Sequence, residues 1–304
     1  MSGYRVETTT EDARHLNSAY LRQVENSEKT ASLEGSLFIR EKVRQEAAVD
    51  EVVVPRGITE NEIDRDEDTE DPKVIIEKEP DSYATFVPFL GTPESKWFTG
   101  PRYAVYFGKI VSQRYIKSKL HLMTSRTDIR KVIADNSVKD MSDQKDKKWR
   151  NMVMGIINRN AAEQETKAQQ FTSTAFKRAF QKMLRRRRPI GKMILTQSLF
   201  MEALDLPASS VGNAIAETHY REGIQSEEKL FGVPVVTTIK NDIYDQDEAL
   251  IFSPQEFLGN AFTLIDATLH IKQEAEIVEW YTYMVIALGI GNHLSFQRLY
   301  FGDN

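Results

Sequence analysis

The sequence of 304 residues contains no cysteine, which excludes disulfide bonds, thiolate metal sites and cysteine nucleophiles. No apolar run reaches the roughly 20 residues that a membrane-spanning helix requires, so we expect no membrane partner. The first residues are polar and acidic, and they show no signal-peptide pattern. Hydrophobic residues make up 40% of the chain, which is ordinary for a globular protein. The net charge of −5 is mild, and we expect the protein to be cytoplasmic.

Catalytic motifs are also scarce. Gly289 and Gly291 form a lone G-x-G inside a predicted strand, whereas a phosphate-binding loop needs a strand-to-helix turn. Ser142 and Lys145 match S-x-x-K, but the other motifs of that enzyme class are missing, and helix capping explains Ser142 better. The five histidines are dispersed, without the close pair that a metal site uses. We therefore predict no catalytic, cofactor-binding or metal-binding residues, no cofactor, and no enzymatic activity.

Negative charge is concentrated in residues 60–71, where eight acidic residues accompany one basic residue, Arg65. Like charges at this density repel one another, which predicts a solvated loop with a possible role between subunits. We call these eight residues the acidic segment: Glu60, Glu62, Asp64, Asp66, Glu67, Asp68, Glu70 and Asp71.

Positive charge is concentrated in residues 177–192, which hold eight basic residues and no acidic one. The arginine cluster within them consists of Arg185, Arg186, Arg187 and Arg188. One interpretation is a solvated helix end that the helix dipole favours. The other is contact with DNA phosphates or with the acidic surface of another subunit. Sequence-specific DNA recognition is disfavoured, because no helix-turn-helix or zinc-finger pattern accompanies the cluster.

Short β-branched runs bounded by turn residues predict most of the strands. Residues 230–236 and 249–252 form two such runs, and Pro234 places the first of them near a sheet edge. The long alternating region 103–122 predicts a projecting hairpin, which extends from about residue 55 to residue 119. The other predicted strands are 52–54, 193–195, 264–271, 280–290 and 294–300.

Apolar residues at helical spacing predict the helices. Ser142 is expected to cap a long helix that runs past residue 159, with Trp149, Val153 and Ile157 on its apolar face and Lys145 on the opposite face. Residues 1–29 lack periodicity and predict an extended or partly disordered arm. Further helices are predicted at 36–48, from Thr127, at 172–187 and at 197–206. The order of elements shows no repeating strand–helix alternation, which favours an α+β protein.

This order of elements resembles that of the major capsid protein of tailed bacteriophages, which has the HK97-type fold. The strand-like run LFGVPVV at 230–236, the strand–helix step MILTQSLFM at 193–201, and Phe257-Leu258-Gly259 before the closing strands carry the resemblance. So does the return strand of the hairpin, residues 102–119, which leads into a long helix. The similarity extends from about residue 52 to the C-terminus.

The resemblance implies an α+β, HK97-like fold with an N-terminal arm, an extended E-loop hairpin, a P-domain with a long spine helix, and an A-domain. The implied ranges are 1–50 for the arm; 51–120 for the E-loop and its flanking strands; 121–171 and 251–285 for the P-domain; and 172–250 and 286–304 for the A-domain. It further implies a virion subunit that forms hexamers and pentamers of an icosahedral head around double-stranded DNA. Portal, scaffolding and decoration proteins would be further partners.

Two other functions remain open at this stage. An encapsulin-like shell has the same fold and encloses protein cargo, although the long N-terminal region and E-loop favour a phage. A basic nucleic-acid-binding protein that acts through the arginine cluster belongs to a different class. Particle size separates them, because both shells sediment as very large particles and a nucleic-acid-binding protein sediments as a small oligomer.

Overall fold

The computed structural model describes residues 10–77, 84–89, 91–92, 95, 97, 100–202 and 229–302. Three helices open this part of the chain, and they are α1 (Thr10–Asn26), α2 (Glu28–Glu46) and α3 (Ala48–Val52). The predicted extended arm is therefore wrong from residue 10 onward, and the predicted helix 36–48 begins eight residues too late (28 against 36). The strand predicted at 52–54 is also wrong, since Val52 ends α3 and no strand includes the next two residues.

Helix α2 packs along the longest strand, β12 (Gly259–Glu274). A Cβ atom on Gly35 would lie 2.5 Å from Leu269 Cδ2, so a larger residue there would require the leucine side chain to move. The Leu269 amide donates a hydrogen bond of 2.8 Å to Ser36 Oγ. The buried face of α2 thus mixes the small residues Ala31 and Ser36 with Ile39 and Val43, which weakens its apolar pattern.

The longest helix, α5 (Ile129–Arg159), is one element of 31 residues where two were predicted. Asp128 caps it by accepting a hydrogen bond from the Arg130 amide at 3.0 Å. The predicted cap Ser142 lies inside the helix, where its hydroxyl donates to the Lys139 carbonyl. The predicted apolar stripe is confirmed, because Trp149, Val153 and Ile157 are all buried; these three residues anchor α5 in the main core.

A five-stranded sheet packs against α2 and α5. Strand β12 pairs with its neighbour β13 in an antiparallel hairpin with a tight turn at Ala275 and Glu276, so both strands are longer than predicted. The sheet order is β1-β12-β13-β5, with β6 also paired to β13. The other strands of this sheet are β1 (Arg56–Gly57), β5 (Gly108–Val111), β6 (Tyr115–Ser118) and β13 (Ile277–Ile290), and a short helix α4 (Lys119–Thr124) follows β6.

A six-stranded sheet forms the second layer, in the order β7-β14-β11-β8-β10-β9. The predicted strand 230–236 is a tight hairpin instead, because Phe231 and Gly232 have positive φ values of 53° and 82° and turn the chain between β9 and β10. Positive φ at both turn residues suits the twist of a two-residue hairpin. The six strands are β7 (Glu165–Ala168), β8 (Lys192–Thr196), β9 (Lys229–Leu230), β10 (Val233–Thr238), β11 (Glu248–Phe252) and β14 (Phe296–Phe301).

Helix α7 (Ser173–Arg185) packs on the six-stranded sheet, with Thr172 as its cap. Phe176 and Met183 are fully buried there, while Leu184 is 57% exposed and lies outside the apolar face. Two further helices, α6 (Ala161–Gln164) and α8 (Gln197–Glu202), flank this layer. The last four residues of the predicted helix 197–206 lie outside the described residues.

The third sheet is a hairpin with one short extra strand, β2 (Asp64–Arg65). Its two main strands are β3 (Pro72–Glu77) and β4 (Arg102–Tyr106), which pair from Lys73 opposite Tyr106 to Glu77 opposite Arg102. The hairpin is narrower than the predicted range 55–119, because β5 and β6 pair with β13 in the five-stranded sheet. Segregated helices and three largely antiparallel sheets give the predicted α+β class.

Candidate functional site

The acidic segment forms a folded turn rather than an open loop. Asp66 accepts hydrogen bonds from Lys73 Nζ at 3.0 Å and from the Tyr106 hydroxyl at 2.8 Å, which ties the turn to both strands of the β3–β4 hairpin. Its amide donates to the Asp71 carbonyl at 3.0 Å. Hydrogen bonds from Lys73, Tyr106 and the Asp68 amide hold the pKa of the Asp66 carboxyl well below its usual range. The turn therefore has a defined shape before it meets any partner.

Most of the other carboxylates in the segment have no cation beside them. Glu62 pairs with Arg56 at 3.2 Å on the surface. The six that are exposed and form no ion pair with any described residue are Glu60, Asp64, Glu67, Asp68, Glu70 and Asp71. A compact turn with six free negative charges is the result.

The arginine cluster lies at the C-terminal end of α7, where a turn with two backbone hydrogen bonds ends the helix. The Arg187 amide donates to the Leu184 carbonyl at 2.9 Å, and the Arg188 amide donates to the Met183 carbonyl at 3.1 Å. Arg187 adopts a φ of 58°. Glycine is the usual residue at this position of such a turn, because it has no Cβ to clash in the left-handed region. An arginine here carries backbone strain that glycine would avoid.

None of the four guanidinium groups lies within 4.0 Å of a carboxylate in the described part of the chain. Arg185 and Arg187 are exposed, while Arg186 and Arg188 are half-buried. Arg186 Nη1 and Arg188 Nε are covered by protein and donate to no acceptor among the residues that the structure describes. Burial lowers the pKa of Arg186, and only the more distant Glu163 opposes this effect. The structure does not bring the arginine cluster and the acidic segment together within one subunit.

A third surface feature is the distal part of the β3–β4 hairpin, which exposes large aromatic side chains. Phe86 and Phe89 are fully exposed, and Trp97 is 92% exposed. Isolated apolar residues are common on protein surfaces, but several bulky aromatics in one short region mark an interaction site.

Sequence reasoning missed a buried network of ion pairs along α5. Asp146 is fully buried, pairs with Lys240 Nζ at 2.7 Å, and accepts hydrogen bonds from the amides of Ala48 and Val49 at 3.3 and 3.0 Å. The carboxylate therefore caps α3 from the side of the long helix. Lys240 also reaches Asp143 at 3.2 Å, which gives the cation two carboxylate partners.

Lys145, predicted to lie on the solvated face, is buried and pairs with Asp50 in α3. Burial raises the pKa of Asp50, and the lysine opposes that effect. A signal for this was present in the sequence. Residues 142, 145, 146 and 149 recur at helical spacing, so charged residues share a face with the buried Trp149.

The network continues toward the six-stranded sheet. Glu248 binds Arg150 at 2.8 Å and Arg298 at 2.9 Å, and Arg298 in turn binds Glu165 at 2.9 Å. Each charge has an opposite partner, which buried charges require. These pairs connect α5 to three strands of that sheet.

Within the described ranges, no three histidine, aspartate or glutamate side chains come together in a way that would hold a metal ion. No helix in those ranges is both long enough and apolar enough to cross a bilayer.

Comparison by sequence finds no matching family model and no matching curated protein. Comparison by structure is informative. The capsid structure of cyanophage P-SCSP1u superimposes with a TM-score of 0.59 at 11% identity, over 83% of this chain and 87% of that one. A structure from Mycobacterium phage Adephagia gives 0.58 at 7% identity, over 86% and 91%. A virus-like particle from Pyrococcus furiosus gives 0.53 at 11% identity, over 86% and 96%.

The chain has the HK97-like capsid fold. We propose that the β3–β4 hairpin corresponds to the E-loop of that fold and α5 to its spine helix, with the five-stranded sheet in the P-domain and the six-stranded sheet in the A-domain. The buried ion-pair network connects α5 to the six-stranded sheet and to α3, the helix that precedes the β3–β4 hairpin.

Proposed function

We propose that this protein is a structural, non-enzymatic subunit of an icosahedral phage head. Subunits associate into hexamers and pentamers, and these close into a shell around double-stranded DNA. The shared fold with the capsid of a cyanophage supports this function. The predicted ranges for the arm, the E-loop, the P-domain and the A-domain are part of the proposal.

The observation that carries the proposal is the exposed tip of the E-loop. Phe86, Phe89 and Trp97 leave almost their whole surface in water. Burying each such side chain would contribute roughly 1.5–3 kcal/mol. Phe86, Phe89 and Trp97 are not members of the main core, and the described residues leave them uncovered. A neighbouring subunit would cover them.

The proposed partners follow from this function. The protein binds further copies of itself, a portal, scaffolding proteins and decoration proteins, and it contacts packaged DNA without sequence specificity. The assembled protein is part of the virion capsid, and assembly takes place in the host cytoplasm.

Sedimentation and negative-stain electron microscopy of the purified full chain test the proposal. We expect closed particles of uniform size that sediment far faster than a monomer. A protein that remains a monomer or small oligomer at micromolar concentration, with and without DNA, would refute a shell function and favour a nucleic-acid-binding protein.

An encapsulin-like shell is the second candidate, because the virus-like particle from Pyrococcus furiosus matches over 96% of its own length. The contents of the particles distinguish the two shells. A phage head protects DNA from nuclease, whereas an encapsulin-like shell retains a defined protein cargo and no genome.

A further inference from the structure

We propose that the arginine cluster of one subunit binds the acidic segment of a neighbouring subunit, so that the two form an electrostatic contact in the shell. The inference rests on the proposed function and names a specific contact within it. Two clusters of opposite charge are the observation behind it: six carboxylates of the acidic segment and all four arginines of the cluster form no ion pair with any residue that the structure describes.

The arginine cluster has features that an isolated subunit does not explain. Four adjacent cations repel one another, and two of them have lost part of their hydration without gaining an acceptor. Arg187 also occupies a left-handed position that suits glycine. Strain that is retained at a defined position points to a function for the side chain. An anionic partner at the exposed edges of these guanidinium groups would offset both the repulsion and the lost hydration.

The acidic segment is suited to be that partner. Asp66 fixes the turn through Lys73 and Tyr106, so that the free carboxylates are ordered before binding. A preorganised loop loses less conformational entropy when it binds. Arginine matches carboxylates well, because its planar fork donates two parallel hydrogen bonds to one carboxylate.

The two clusters are fixed to different parts of one subunit. Val74 and Val105 pack the base of the hairpin on Phe262 in the five-stranded sheet, whereas the cluster ends a helix on the six-stranded sheet. No ion pair joins the two clusters within the subunit, so we assign the complementary surface to a second copy. Repeated in a ring, one such contact per subunit is a head-to-tail interface, which is the kind that closes hexamers and pentamers.

The position of the cluster is consistent with this partner. The Arg188 guanidinium lies 5.9 Å from the ring centre of Phe257, in the short helix α9 (Gln255–Leu258). Gln255 of α9 exchanges two hydrogen bonds with the backbone of Val54, at 3.1 and 3.0 Å. The cluster thus lies close to the segment that leads into the β3–β4 hairpin.

A charge-reversal experiment on the full chain tests the contact. One variant carries Arg185→Glu and Arg187→Glu, a second carries Glu67→Lys and Asp68→Lys, and a third carries all four changes. All four side chains are exposed, so each variant is expected to fold and to unfold at the wild-type temperature. The arginine variant and the acidic variant should each need roughly tenfold more protein to form particles, because each loses one modest interaction between subunits. The combined variant should form particles at the wild-type protein concentration. Arg178→Glu, one reversal on the same helix outside the cluster, should assemble normally.

The other outcomes contradict the proposal in distinct ways. If the arginine variant forms shells normally but loses packaged DNA, and the combined variant does not recover it, the partner is DNA. If neither reversal changes assembly or genome retention, the cluster is a solvated surface. Wild-type protein that forms no particles would refute the proposed shell function itself.

Arg187→Gly gives an independent test that does not depend on reversed charges. Glycine relieves the strained backbone, so the subunit should unfold at the same or a higher temperature. Assembly should nevertheless require a higher protein concentration than in the wild type. The difference should be larger in low salt, because the lost charge is screened less there. Assembly at the wild-type concentration in low salt would overturn the proposal.

Discussion

Asp146 and Lys240 form an ion pair of 2.7 Å at which the carboxylate has no contact with solvent. The same carboxylate caps α3 through the amides of Ala48 and Val49. The Asp146 side chain of α5 thus binds both the first turn of α3, which precedes the β3–β4 hairpin, and Lys240, which follows strand β10.

Asp146→Asn should strongly destabilise the subunit. The variant keeps an oxygen for the α3 amides but leaves Lys240 with the partly exposed Asp143 and the Ser142 hydroxyl in place of a buried carboxylate. Breaking a buried pair by removing one charge costs about 3–5 kcal/mol. Urea unfolding of the isolated subunit or capsomer measures the change. The matched control is Asp143→Asn, which removes a partly exposed partner and should cost less than about 1 kcal/mol. Equal losses in the two variants would show that Asp146 has no special role.

Trp149→Ala should lower the stability of the subunit by about 3–5 kcal/mol, since it removes a large buried aromatic. Trp149 is fully buried, and its ring centre lies 6.0 Å from that of Phe252 in the six-stranded sheet. Denaturant unfolding measures the effect. An unchanged unfolding midpoint would contradict the packing described for α5.

Trp97→Ala should leave the stability of the subunit unchanged and impair its assembly. Its side chain is 92% exposed in the isolated subunit, so the unfolding midpoint should remain within roughly 0.5 kcal/mol of the wild type. Particle formation should decrease, because the ring would be buried only against a neighbour. Sedimentation at several protein concentrations reveals this. Normal assembly would mean that the E-loop tip contributes no aromatic contact at this position.

The base of the E-loop should lose stability in acid. The pKa of Asp66 in the folded protein lies below its ordinary value of 3.8. Its contribution to stability is therefore complete at pH values above 3.8, and it is lost as the pH falls below that value. Hydrogen exchange of the Phe107 amide, which donates to the Pro72 carbonyl at the hairpin base, reports on this region.

Asp66→Asn should weaken protection of that amide at neutral pH and remove its decline in acid. Glu67→Gln is the control, because Glu67 is exposed and forms no ion pair with the described residues. An acid response that persists unchanged in Asp66→Asn would assign it to another group.

The second half of α5, helix α7 and the strands β8, β11 and β14 could largely be predicted from the sequence, because their apolar residues recur at the spacing of the element. Helix α1 and the first part of α2 could not. Leu33 and Leu37 of α2 are exposed, while Ser36 is buried. Ile39 and Val43 are buried at helical spacing, so periodicity finds the end of α2 and misses its beginning.

The prediction for the middle of α5 was wrong for a related reason. The polar residues Ser142, Lys145 and Asp146 look like a helix start or a solvated face, but all three are buried. Their partners, Asp50 and Lys240, are distant in the sequence. Local patterns cannot reveal that a charge is neutralised by such a residue. The surface clusters were visible in the sequence, whereas the structure was needed to show that most of their charges form no ion pair with the described residues.

Helix α3 is bound on two sides. Asp146 holds its first turn, and Lys192 Nζ donates to the Glu51 carbonyl near its end, at 2.7 Å. The chain reaches the E-loop only a few residues later. A force on the β3–β4 hairpin would therefore reach the middle of α5 through α3, in addition to reaching the five-stranded sheet through Val74 and Val105. Lateral load at the centre of a long helix bends it, so the elastic response of a shell made from this subunit should depend on the stiffness of α5 around Asp146.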